Sequence, residues 1–212
     1  MCSECLLKLP RTNYHVRPEN PMEQLFWGSF PLVHATAFFY YHQGTATSEI
    51  LYLLKYAHCP EIGEYMASVF AQEILLDERR SNCQFFSGID YIIPLPLNPK
   101  KRKVRGYNQC DSICRGLSRV TGIPVLSDVV ERTVSNATQT RKSRVERELN
   151  VEHIFRLTDV KEKRTLLCGK HVLLVDDVCT TGATLKSFAQ TFSEIPDLRI
   201  SILTLGLASP IF

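Results

Sequence analysis

Val172-Leu173-Leu174-Val175-Asp176-Asp177-Val178-Cys179-Thr180-Thr181-Gly182-Ala183-Thr184 constrains the fold more than any other part of this chain. An apolar, β-branched run ends in two adjacent carboxylates, and a hydroxyl-rich loop follows at once. Residues 172 to 175 suit a strand buried on both faces, as in a parallel sheet. Leu185, Phe188, Ala189 and Phe192 then recur at helical spacing, so the loop opens a helix with one apolar face. Backbone N–H groups, the hydroxyls of Thr180, Thr181 and Thr184, and a glycine that admits close approach make that helix start an anion site suited to phosphate. Carboxylates beside a phosphate cradle repel the ligand unless it also carries vicinal hydroxyls or a cation. A ribose 5-phosphate meets both demands. The competing reading is a plain strand-to-helix turn with Asp and Thr as caps.

The chain of 212 residues can build one sizeable core and a small appendage. With 44% apolar and 22% charged residues it has the composition of an ordinary globular protein. No stretch approaches the ~20 apolar residues of a membrane span. Met1-Cys2-Ser3-Glu4-Cys5 lacks the basic-then-apolar order of a signal peptide, so a cytoplasmic location without membrane contact is expected. The eight cysteines are then expected as thiols. Cys110 and Cys114 fall on the apolar side of a helix. Cys179 lies in the phosphate loop, where a helix N-terminus can lower a thiol pKa, although no nucleophile is required there. Cys2 and Cys5 form only half of a four-ligand zinc site, and His15, Cys59 and Cys83 lack matching spacing, so zinc is not expected.

Strands alternate with helices along the chain. Strands are expected at 33–41, 89–97, 123–126, 171–176 and 199–206, and helices at 49–56, 62–74, 107–120 and 183–193. Residues 10 to 31 read as irregular, and 131 to 150 as polar and charged. This order argues an α/β parallel sheet flanked by helices, with ligands beyond the carboxyl ends of the strands. The net charge is only +3, but Lys100, Lys101, Arg102, Lys103 and Arg105 form one basic run, and Arg141, Lys142, Arg144 and Arg147 a second. Such runs attract polyanions, either pyrophosphate or nucleic acid. The first follows Pro94-Leu95-Pro96-Leu97, where prolines end the strand and suggest a shaped basic loop.

The stretch from 172 to 184 resembles the phosphoribosyl diphosphate (PRPP) signature of class I phosphoribosyltransferases. With the proline-rich strand end and Arg105-Gly106-Tyr107-Asn108-Gln109, the chain is more narrowly similar to the ComF family of competence-associated phosphoribosyltransferase-like proteins, including its GntX branch. Gln139-Thr140, Glu146-Arg147, Asn150 and Phe155 also match that family, at the place of a mobile substrate-closing loop. Many members begin with two Cys-x-x-Cys pairs. Here Cys2 and Cys5 look like the second pair alone.

The resemblance implies a type I phosphoribosyltransferase-like sheet at 31–212 with a small hood region, preceded at 1–30 by a ribbon remnant and irregular segment. It implies that Asp176 and Asp177 hold ribose hydroxyls and, through substrate, Mg²⁺, while Cys179, Thr180, Thr181, Gly182, Ala183 and Thr184 hold the 5-phosphate. Leu97, Lys100, Lys101, Arg102, Lys103 and Arg105 would contact pyrophosphate, with Arg147 reaching it from the closing loop. The expected activity is that of an Mg²⁺-dependent glycosyltransferase of nucleotide metabolism acting on PRPP. The alternative is a non-catalytic PRPP- or nucleotide-binding, DNA-associated competence protein that contacts nucleic acid or the uptake machinery. No pattern specifies the acceptor or the oligomeric state. Phe26, Tyr40 and Tyr41 could stack on a base, against a general tendency of such residues toward the core.

Overall fold

The computed structural model describes residues 3–80, 83–133 and 154–208. In chain order the elements are α1 (Ser3–Leu7), α2 (Pro21–Gln24), β1 (Leu32–Tyr41), α3 (Ala46–Tyr56) and α4 (Pro60–Arg80). Then come β2 (Tyr91–Pro94), α5 (Pro99–Arg105), α6 (Gln109–Thr121) and β3 (Val130–Arg132). The chain continues with β4 (Phe155–Leu157), α7 (Val160–Leu167), β5 (His171–Cys179), α8 (Ala183–Gln190) and β6 (Arg199–Ala208).

Among the described residues, four strands form a parallel sheet in the order β1-β6-β5-β2, and β3 pairs antiparallel with β4. The period of two along β5 explains the layers. Val172 and Leu174 join Ile200 and Ile202 on one face, packed with Phe188 of α8, Leu167 of α7, Met22 of α2 and Phe155 of β4. Leu173 and Val175 join Leu203 and Leu205 on the other, under Leu54 of α3, Phe70 of α4 and Ile113 of α6. Both faces are covered, which is why β5 reads as an apolar run over residues 172–175 and β6 is buried over residues 200–207. Cys110 and Cys114 are fully buried on α6, as their helical spacing requires.

The strand order fixes where a ligand can sit. After β5 the chain crosses through α8 to β6 on one side. After β2 it crosses through α6 to Val125, which bridges Ile92 on the outer side of β2. The two connections leave on opposite faces and in opposite directions, so a crevice opens between the carboxyl ends of β2 and β5, a topological switch point.

Four expectations change. Residues 100–105 are helix rather than loop: Asn98 caps α5 by accepting the Lys100 N–H at 3.0 Å, Pro99 starts it, and Gly106, at φ 82°, ends it. Arg102, Lys103 and Arg105 lie in its last turn, where the helix dipole favours cations. The strand expected at 123–126 shrinks to the single Ile92–Val125 bridge, and the one at 89–97 to Tyr91–Pro94. Residues 10–31 are not wholly irregular, since they include a 3-10 turn at Tyr14–Val16 and α2. They also bury Tyr14, Met22 and Phe26 in the main core.

Candidate functional site

The acid pair lies within the last residues of β5. Asp176 is 8% exposed and Asp177 3%. Asp176 Oδ1 accepts the Asp177 backbone N–H at 2.8 Å and the Cys110 thiol at 3.5 Å. Burial raises the Asp176 carboxyl to a pKa of about 7, and the neighbouring Asp177 charge pushes the same way. Asp177 Oδ1 pairs with Lys55 Nζ at 3.1 Å, while its buried Oδ2 has no hydrogen-bond partner. A buried carboxylate oxygen without a partner is costly in a finished core and expected at a site that awaits a ligand.

Lys55 was not anticipated from sequence. It comes from the last turn of α3, 122 residues before its partner, and nothing in the local pattern separates it from an ordinary surface lysine.

The phosphate loop follows directly. Cys179, the final residue of β5, is buried, whereas Thr180, Thr181, Ala183 and Thr184 are exposed around a buried Gly182. Gly182 adopts φ 77° at the N-terminus of α8, a left-handed conformation suited to glycine. Beneath it lies Phe26, whose ring would stand 3.0 Å from a Cβ at position 182. Phe26 is thus the floor of the loop and fully buried, not a stacking platform. The Ala183 N–H donates to Thr181 Oγ1 at 3.4 Å. The Cys179 thiol is not activated: burial, with the Asp176 charge, raises it to a pKa of about 12.

On the β2 side, Leu97 is half-buried and Lys100, Lys101, Arg102 and Lys103 are exposed on α5. Arg105 is buried; its guanidinium donates to Gln109 Oε1 and lies 5.4 Å from the Tyr56 ring centre. Tyr107 donates to the Leu54 carbonyl, and Asn108 caps α6 while donating to the Leu95 carbonyl at 3.1 Å. Arg105 to Gln109 therefore tie α3, α5 and α6 together behind the crevice.

Two clefts meet at Lys55 and Tyr56. One, of about 500 Å³, is lined by Tyr41, Tyr52, Val178 and Thr180. The other, of about 320 Å³, is lined by His58, Lys100, Lys101 and Arg105. Tyr41 thus reaches the first cleft. Tyr40 is half-buried and donates to the Tyr14 hydroxyl at 3.1 Å. Arg147, with the rest of the 139–150 stretch, and Cys2 lie outside the described residues; Cys5 is exposed. Among the described residues no group of three or more His, Cys, Asp or Glu could hold a metal ion, and no helix is long and apolar enough to cross a membrane.

Residues 112–204 match the phosphoribosyl transferase domain. Over 143 residues the chain is 34% identical to a DNA utilization protein of Shigella flexneri, covering 68% of this chain and 59% of that protein. It is 35% identical over 117 residues to competence protein F of Haemophilus influenzae, covering 55% of this chain and 50% of the relative. The chain thus matches a little over half the length of these relatives. Among solved structures it is similar to the glutamine PRPP amidotransferase of B. subtilis, with 20% identity, 68% of this chain and 26% of that chain covered, and a TM-score of 0.42. The α/β parallel sheet, the domain match and the competence-protein relatives together support a ComF-family, phosphoribosyltransferase-like protein.

Proposed function

We propose that the crevice between β2 and β5 binds PRPP with Mg²⁺ and transfers its phosphoribosyl group to an acceptor, releasing pyrophosphate. The observation that carries this reading is the unpartnered, buried Asp177 Oδ2 beside an exposed Thr180–Thr184 loop at a helix N-terminus. Asp176 and Asp177 receive the ribose hydroxyls as hydrogen-bond acceptors. The Thr180, Thr181 and Thr184 hydroxyls and the loop N–H groups anchor the 5-phosphate, giving binding energy remote from the reacting carbon. Lys100 and Lys101 supply positive charge where the diphosphate departs, which favours the transition state electrostatically.

A hard divalent cation fits the oxygen-only donors of the acid pair, which would hold it together with substrate oxygens and water. When bound, Mg²⁺ would neutralise charge developing on the diphosphate. The test is pyrophosphate release from PRPP across a screen of nucleobases and amines. Release lost on replacing both aspartates by asparagine, with circular dichroism unchanged, supports the reading; release retained by that variant counts against it.

A second reading is favoured by the exposed cations of α5 and by the names of the relatives: a non-catalytic protein that contacts DNA. It requires binding of single-stranded DNA that weakens steeply with salt and falls when Lys100, Lys101, Arg102 and Lys103 are replaced by alanine. No retardation at low ionic strength would remove it.

A further inference from the structure

We infer that Lys55 is a positioning residue that holds the cation's place at Asp177 in the free protein and passes to the diphosphate when substrate enters; this rests on the PRPP reading above. Lys55 Nζ lies 3.1 Å from Asp177 Oδ1, and its side chain is 22% exposed. The same residue borders both clefts, the one beside Thr180 and the one lined by Lys100, Lys101 and Arg105. A lysine carries a compact charge on a flexible four-carbon stem, so one residue can serve either side.

The consequence is an order of binding. A divalent cation approaching Asp177 alone meets an ammonium already at the carboxylate, and like charges compete for it. A cation arriving with a diphosphate brings an anion that takes up the displaced lysine. The basic cleft then gains a further positive group without leaving Asp177 uncompensated. Lys55 thereby links the acid pair to the leaving-group side, although α3 contributes nothing to the recognised motif.

The test uses Lys55→Met, which keeps the apolar stem, and Lys55→Arg, which keeps the charge, both checked for folding by circular dichroism. Manganese is titrated into the protein alone at pH 8, and Mg²⁺ with PRPP is titrated separately. Coupling of this kind is typically worth 5- to 150-fold. Lys55→Met should therefore bind manganese alone about tenfold more tightly and Mg²⁺ with PRPP about tenfold more weakly, while Lys55→Arg stays close to wild type in both. Unchanged manganese affinity, or unchanged PRPP affinity, in Lys55→Met would overturn the inference. Failure of the wild type to bind PRPP would instead overturn the proposed function and the diphosphate half of this inference. The manganese titration would still decide whether Lys55 guards Asp177.

Discussion

The Phe26 ring lies directly under Gly182, 3.0 Å from where a β-carbon would stand. The loop is thus set from below by a residue 156 positions earlier and from within by a left-handed backbone. Gly182→Ala meets both obstacles: a φ that L-residues adopt at a cost of about 1–2 kcal/mol, and a fully buried ring that must shift to admit the β-carbon. The variant should lose roughly 1–3 kcal/mol in urea unfolding and bind PRPP more weakly than wild type. Unchanged stability would mean the loop is less constrained than its packing indicates.

The buried Asp176 carboxyl gives a pH dependence with a definite sign. Its pKa is raised from 3.8 to about 7 by burial and by Asp177, so the native protein holds a proton that the unfolded chain has released. Stability contributed at this position is therefore greatest below about pH 4 and is lost as pH rises from about 4 to 7. Asp176→Asn keeps an oxygen to accept the Asp177 N–H and removes that penalty. Its Tm should exceed that of wild type by at least about 2 °C at pH 8, with the gap closing toward pH 4. A gap independent of pH would show that the carboxyl titrates normally. PRPP affinity of the wild type should rise between pH 6 and 8 as this carboxyl ionises.

Legibility followed sequence distance. The β5 strand, the acid pair, the Thr180–Thr184 loop and α8 are contiguous, so periodicity and motif together locate them. Lys55 and Phe26 reach the same crevice from far along the chain, and each looks locally like a surface cation or a core aromatic. The basic run at 100–105 misled in another way. With the prolines before it, the run suggests a shaped basic loop, while the helix signals sit in Asn98, Pro99 and Gly106 at its ends. Arg105 shares that charge run, yet its packing against Tyr56 and Gln109 depends on how α3 and α6 converge.

Tyr107 holds α3 in place by donating its hydroxyl to the Leu54 carbonyl, one residue before Lys55. Tyr107→Phe deletes that bond alone and should cost about 1 kcal/mol of stability. It should also weaken PRPP binding, because the last turn of α3 carries Lys55. Thermal melts and PRPP titration of the variant measure both effects. A loss of stability with PRPP affinity intact would separate α3 from the site.

Calorimetric titration of PRPP into the protein, with and without Mg²⁺ and alongside Asp177→Asn, tests the central claim most directly. The account predicts binding that requires Mg²⁺ and is lost in a folded Asp177→Asn protein, since the one buried acid oxygen without a partner belongs to that residue among the described aspartates. Absence of binding to the folded wild type, or binding indifferent to both Mg²⁺ and the substitution, would contradict it.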